Sequence, residues 1–267
     1  MRTAARVAIC TIITVIMVFP LYAMVRMAFS TRSELFAGDI LIPDSWTLAN
    51  FQNLFEKYPM GTWVMNSVAV SLVTLVLSVT INLLAGYAFA KIPFRGRSIL
   101  FILVLSTLMI PAQAIMIPQF RIVSELGIYG TFWGVILPSA ATALGIFLAR
   151  QFFLSIPDEL LEAARLDGAG QLRIFFSIVL PLARPLVAVM VLLAFMNTWN
   201  DFLWPLIVLK DPELYTLPVS LRFLQGEFSN DYGGLMAAGL ISCVPLVVLF
   251  LLLQKWFVQG IARTGIR

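Results

Sequence analysis

Six stretches of this chain run apolar for about 20 residues each, and none alternates polar with apolar positions. Inside a bilayer every backbone N–H and C=O must find a partner within the protein, which leaves helices or closed barrels as spanning structures. A barrel would show segments of about 10 residues with strict alternation. The runs are longer and unbroken, so the expected class is all-α, a polytopic membrane protein with six transmembrane helices. Composition agrees: 60% of residues are hydrophobic, 12% are charged and the mean hydropathy is +0.94, against about 25% charged in soluble domains. Without internal repeats or low-complexity segments, residues 1–267 read as a single transmembrane domain.

The expected spans cover residues 7–28, 63–90, 98–120, 131–153, 182–209 and 233–257. Arg2 and Arg6 before the first run also suit a secretory signal, but the run is too long for a signal core and reads as a retained span. An even number of spans puts both termini on one side. With the N-terminus inside, twelve of the 18 lysines and arginines fall on inner segments and six on outer ones, a bias that makes both termini cytoplasmic. Trp63, Trp133, Trp204 and Trp256 fall near span ends, where interfacial anchors belong. Pro111, Pro118 and Pro138 read as kinks. Residues 29–62 and 210–232 are expected as outer loops, the first with a short helix near 48–55, the second carrying Asp211, Glu213, Glu227 and Asp231. Each is either solvated or turned to a partner at the outer face.

Several functions are excluded. The chain has no histidine, and Cys10 and Cys243 lie far apart within apolar runs, so neither a metal site nor a histidine-based triad is expected. The net charge of +4 follows topology and points to no nucleic acid. No GxxxxGK[ST] loop is present, nor a soluble stretch large enough for a nucleotide-binding fold. If the chain pumps with ATP, a separate chain must hydrolyse it.

Against this background the run Pro157–Pro181 is polar and patterned. Pro157, Asp158 and Glu159 read as a helix start with Ser155 as a possible cap. Leu160, Leu161, Ala163, Ala164 and Leu166 recur at helical spacing, and Gly168 suits the left-handed residue that ends a helix. A second amphipathic run, with Leu172, Phe175, Phe176, Val179 and Leu180 on one side, leads to Pro181. The pattern fits a docking helix as well as a plain connecting loop. Glu162-Ala163-Ala164, Asp167-Gly168-Ala169, Ile178 and Leu180-Pro181 resemble the EAA loop of ATP-binding-cassette (ABC) importer permeases. Phe147–Phe153, Ile156–Glu159 and Asn197–Trp204 are similar to the carbohydrate-uptake branch, that of maltose-type and glycerol-3-phosphate-type permeases.

The resemblance implies a bacterial or archaeal inner-membrane subunit with a cytoplasmic coupling helix between spans 4 and 5. It implies a second related permease, two copies of a cytoplasmic ABC ATPase that bind the ATP and Mg, and an extracytoplasmic solute-binding protein. No cofactor and no catalytic residue are expected on this chain. Glu162 would pair with a basic residue of the ATPase, Ala163 and Ala164 would permit close packing, and Asp167 and Gly168 would brace and form the bend. In span 5, Asn197, Trp199, Asn200 and Asp201 offer amides, a carboxylate and an indole suited to sugar hydroxyls and ring faces. Helix–helix hydrogen bonding explains the same residues. Asn82 and Gln113 read more simply as packing. A secondary transporter is the alternative function, and inverted repeats or paired intramembrane acids, its usual marks, are not evident.

Overall fold

The computed structural model describes residues 2–35, 45–227 and 231–264. Trp256's side chain, that of Glu227 and the tail to Arg267 lie outside the described residues. The helices run α1 (Arg2–Ala28), α2 (Arg32–Leu35), α3 (Ala49–Lys57), α4 (Met60–Lys91), α5 (Arg97–Ser106), α6 (Ala112–Glu125), α7 (Phe132–Ile136) and α8 (Ala143–Leu154). They continue with α9 (Asp158–Leu166), α10 (Gln171–Ile174), α11 (Leu180–Leu182), α12 (Arg184–Trp199), α13 (Leu203–Val208), α14 (Leu217–Glu227) and α15 (Tyr232–Thr264). No strand occurs among the described residues.

Among the described residues, four segments are long and apolar enough to cross a membrane: Ala5–Ala28, Met60–Lys91, Phe132–Leu154 and Tyr232–Lys255. Two bent pairs raise the number to six where each counts as one span: Arg97–Met109 with Ala112–Glu125 at 108°, and Gln171–Leu182 with Arg184–Trp199 at 83°. The first bend follows from Pro111, which pushes Ile110 into an extended conformation (φ −92°, ψ 121°). Pro118, by contrast, sits inside α6 without breaking it.

The segment expected as one span from 182 to 209 is interrupted. Helix α12 stops at Trp199 and α13 starts at Leu203. Polar side chains bond to the backbone on both sides of the break: Asn200 Nδ2 donates at 2.9 Å to Met196 O, which also accepts from Asn200 N, and Asp201 Oδ1 accepts from Trp204 N at 3.4 Å. Residues 210–232 are likewise not a plain loop, since they hold a one-turn 3-10 helix at Pro212–Leu214 and the eleven-residue α14.

The chain divides into two compact units, Met1–Val64 with Thr216–Val247, and Met65–Tyr215 with Val248–Arg267. In the first, Asn50 on α3 donates to Ala28 O and Ser30 O, both at 2.9 Å, closing the end of α1. Phe29 packs on Phe51 and Trp46 beside it. In the second, one core joins Leu83 and Tyr87 of α4, Ala149 and Phe153 of α8, Leu161 and Ala164 of α9, and Leu186 and Met190 of α12. Another gathers Val70, Val123, Val135, Trp204 and Val208. Trp204 is therefore buried in protein instead of anchoring at the interface, and its indole Nε1 donates to Gly134 O at 3.0 Å. Trp63 is buried too, whereas Trp133 is exposed.

Candidate functional site

Helix α9 forms where the polar stretch predicts a helix. Pro157 is its N-cap (φ −59°, ψ 135°), and Asp158 and Glu159 occupy the first turn, where acids meet the positive end of the helix dipole. Ser155 does not cap it; its Oγ donates back to Phe152 O at 2.7 Å. Leu161 and Ala164, three residues apart on one face, enter the core with Ile174 and Phe175. Glu162, Ala163 and Asp167 lie exposed, and Leu166 is 90% exposed. Of the paired alanines, Ala163 faces outward and Ala164 is turned in.

The helix ends in a Schellman turn. Gly168 has φ +79°, Gly168 N donates to Arg165 O at 3.0 Å and Ala169 N donates to Ala164 O at 2.9 Å. Asp167 contributes its backbone N–H, which donates to Ala163 O at 3.1 Å.

Both ends of this loop rest on the last turn of α4. Lys91 Nζ donates to Ile156 O and to Asp158 Oδ1, each at 2.6 Å. Its side chain is 4% exposed, that of Asp158 72%. The lysine's hydrogen bond, and then its charge, hold the Asp158 carboxyl below the usual carboxylate range. On the far side of the loop, Tyr87 Oη donates to Gln171 Oε1 at 3.0 Å.

Higher on α4, Ser67, Ser71, Thr74, Ser78 and Asn82 are all buried. Steps of three and four residues place them on one face. Asn82 Nδ2 donates to Ser78 Oγ and Thr142 Oγ1, and Asn82 Oδ1 accepts from Thr142 N, all at 3.0 Å. Its side chain thus satisfies the backbone at the break before α8.

Thr74, Ser78, Asn82 and Thr142 share a cavity of about 290 Å³ with Asn197, Thr198 and Asp201. Thr74 Oγ1 is buried there without a hydrogen-bond partner. The four span-5 residues named from the sequence separate. Asn197 and Asp201 line the cavity. Trp199 is 1% exposed and stacks on Phe195 with ring centroids 5.4 Å apart. Asn200 is exposed and is not part of the lining. Gln113 is exposed as well. The sequence reading passed over Thr74, Tyr87, Lys91 and Gln171. Lys91 is one of the basic residues on the inner side, and its four-residue spacing from Tyr87 at a helix end marks a shared face.

Residues 82–263 match the family described as binding-protein-dependent transport system inner membrane component. The chain is 39% identical over 259 residues to the arabinooligosaccharides transport system permease protein AraQ of Halalkalibacterium halodurans, covering 96% of this chain and 93% of that protein. It is 33% identical over 252 residues to the sn-glycerol-3-phosphate transport system permease protein UgpE of Pectobacterium atrosepticum, covering 91% and 90%. Its fold is similar to that of a chain in the crystal structure of a bacterial ABC transporter involved in the import of the acidic polysaccharide alginate, with a TM-score of 0.85, 24% identity and 96% of each chain covered. The chain belongs to the binding-protein-dependent inner-membrane permease family, as a multi-pass translocation component.

Proposed function

We propose that this chain is a permease subunit of an ATP-driven importer for a carbohydrate or similarly hydroxylated solute. The observation that carries the reading is α9, a helix anchored inward by Leu161 and Ala164 while Glu162, Ala163 and the 90% exposed Leu166 face out. An acid and a bare leucine on one short helix suit a protein partner better than water. In this reading α9 is the coupling helix between spans four and five of six, seated on a cytoplasmic ATPase present in two copies. A second permease completes the pore, an extracytoplasmic binding protein delivers the solute, and both termini are cytoplasmic. ATP and Mg are held by the ATPase, with no cofactor on this chain. The names of the relatives, arabinooligosaccharide and glycerol-3-phosphate permeases, support a hydroxyl-rich solute.

Affinity purification of the tagged chain from its native membranes tests this. A P-loop protein that hydrolyses ATP is expected to accompany it in stoichiometric amount, and Glu162→Lys is expected to reduce that recovery about tenfold, the effect of losing a charged contact at an interface. Uptake driven by an ion gradient alone, with the chain purifying without an ATPase, would overturn the reading.

We propose that the solute path runs along the cavity, a reading supported by Asn197, Asp201 and the unpartnered Thr74 hydroxyl, which offer hydrogen bonds there. Asn197→Leu is expected to raise the KM of uptake about tenfold, as for one lost hydrogen bond of ~1.5 kcal/mol. Asn200→Leu is expected to do much less, since Asn200 already donates to Met196 O and lies outside the lining. Equal kinetics for the Asn197 variant and wild type would remove Asn197 from the path.

A further inference from the structure

We infer that Tyr87 and Lys91 are positioning residues for energy coupling, a two-point clamp through which movement of α9 is imposed on α4. The inference rests on the reading that α9 is the element the ATPase moves.

The two residues are one turn apart at the end of α4, so they share a face. Lys91 holds the segment that enters α9, through Ile156 O and Asp158 Oδ1 at 2.6 Å. Tyr87 holds Gln171, the first residue of α10, at 3.0 Å. The feet of residues 156–171 therefore both stand on a single helical turn.

The chemistry makes this more than a stabilising contact. Asp158 is 72% exposed, and ion pairs with so wet a partner add little stability. The ammonium is another matter, because its side chain is 4% exposed and its donors require acceptors. If α9 and the segment from Ile156 that enters it moved while α4 stayed, Lys91 would lose both acceptors at once, and leaving a buried charge unpaired costs far more than the bond itself contributes. The lower-energy response is for the end of α4 to follow. Farther along α4, Asn82, Ser78 and Thr74 form part of the cavity wall. A displacement that begins at α9 thus reaches the cavity through one continuous helix.

The packing of Leu161 and Ala164 into the core would hold α9 without either polar contact. The clamp adds direction, since apolar faces slide at little cost and hydrogen bonds with fixed donors do not.

The test compares wild type with the double variant Tyr87→Phe/Lys91→Met and the single variant Tyr87→Phe, each in the complete transporter in proteoliposomes. The double variant is expected to keep its ATPase and to hydrolyse ATP, while solute carried per ATP falls about fivefold or more. Amide exchange over 157–170, measured on the same samples, is expected to quicken about tenfold, as for the loss of one or two hydrogen bonds. Tyr87→Phe alone removes one oxygen from a ring already packed in the core, so it folds even if the double variant does not accumulate, and it is expected to show part of both effects. Asp158→Asn, which keeps an acceptor for Lys91, is expected to stay close to wild type. An unchanged ratio of transport to hydrolysis in Tyr87→Phe and in the double variant overturns the clamp. Should wild type recover no ATPase, the reading of α9 fails instead, and the exchange data still decide whether the clamp holds the loop.

Discussion

Gly86→Val is expected to lower the yield of folded protein in the membrane severalfold. A Cβ at position 86 would collide with Ala149 Cβ and lie 2.9 Å from Arg150 N and 3.1 Å from Ala149 C. These obstacles belong to the backbone and stub of α8, and no rotamer change moves them aside. To admit even a methyl group, α4 and α8 must separate, which opens the core that Leu83, Tyr87, Ala149 and Phe153 share. Overpacking against yielding side chains costs about 1–3 kcal/mol; a rigid obstacle takes the cost to the top of that range or beyond. A loss of ~3 kcal/mol lowers the ratio of folded to unfolded chains more than a hundredfold, a large part of the ~5–15 kcal/mol that a protein has. Gly61→Val provides the comparison, since a Cβ there meets nothing within 4 Å and only helix propensity is at stake. Size-exclusion yield after detergent extraction and the thermal midpoint are the measurements. A Gly86→Val protein with the yield and midpoint of wild type would contradict the close approach.

Gly168→Val is expected to uncouple the transporter without unfolding it. No atom lies within 4 Å of a Cβ built at Gly168, so the substitution meets no steric barrier from neighbours. The cost lies in the backbone, where φ is +79° and a β-branched residue resists by about 1–3 kcal/mol. The turn can relieve that strain only by abandoning the bonds from Gly168 N and Ala169 N, which reorients the exposed face of α9. Transport per ATP hydrolysed is expected to fall about tenfold or more, with recovery of the chain near wild type. Gly168→Asn is expected to retain much of the coupling, because asparagine tolerates the left-handed region. Gly170→Ala is expected to be nearly silent, since Gly170 has φ −72° and open space around it. If Gly168→Val couples like wild type in proteoliposomes, the rigid Schellman turn has no part in transmission.

The unbroken apolar helices were legible because length and hydropathy alone define them: α1 and α4 begin at Arg2 and Met60, a few residues before the expected runs, and α15 begins at Tyr232, close to the expected start, but runs on to Thr264, past the expected end at 257. The bend at Gly168 was legible because few residues accept that conformation. The breaks were not. Pro111 bends the chain sharply and Pro118 does not, although both have the same chemistry; the difference lies in surroundings that a linear sequence does not list. Likewise the break before α8 is made tolerable by Asn82, sixty residues earlier, and the break after Trp199 by Asn200 and Asp201. Ala163 and Ala164 look equivalent as letters, yet a 100° step around α9 sends one out and the other in. Periodicity is weak in a chain apolar on every side, which is why the cavity emerged from the packing of α4, α8 and α12.

The contact at Gly86 also limits how α4 and α8 can move. Sliding α4 by one turn, about 5.4 Å, would bring the side chain of Asn82 or Ala90 to the point where Ala149 tolerates only a hydrogen. Translation along the axis is blocked in both directions, while tilting about the point of contact is not. The two helices meet at a pivot, and a tilt of α4 about it would carry the Lys91 end and the Asn82 end of the helix in opposite directions.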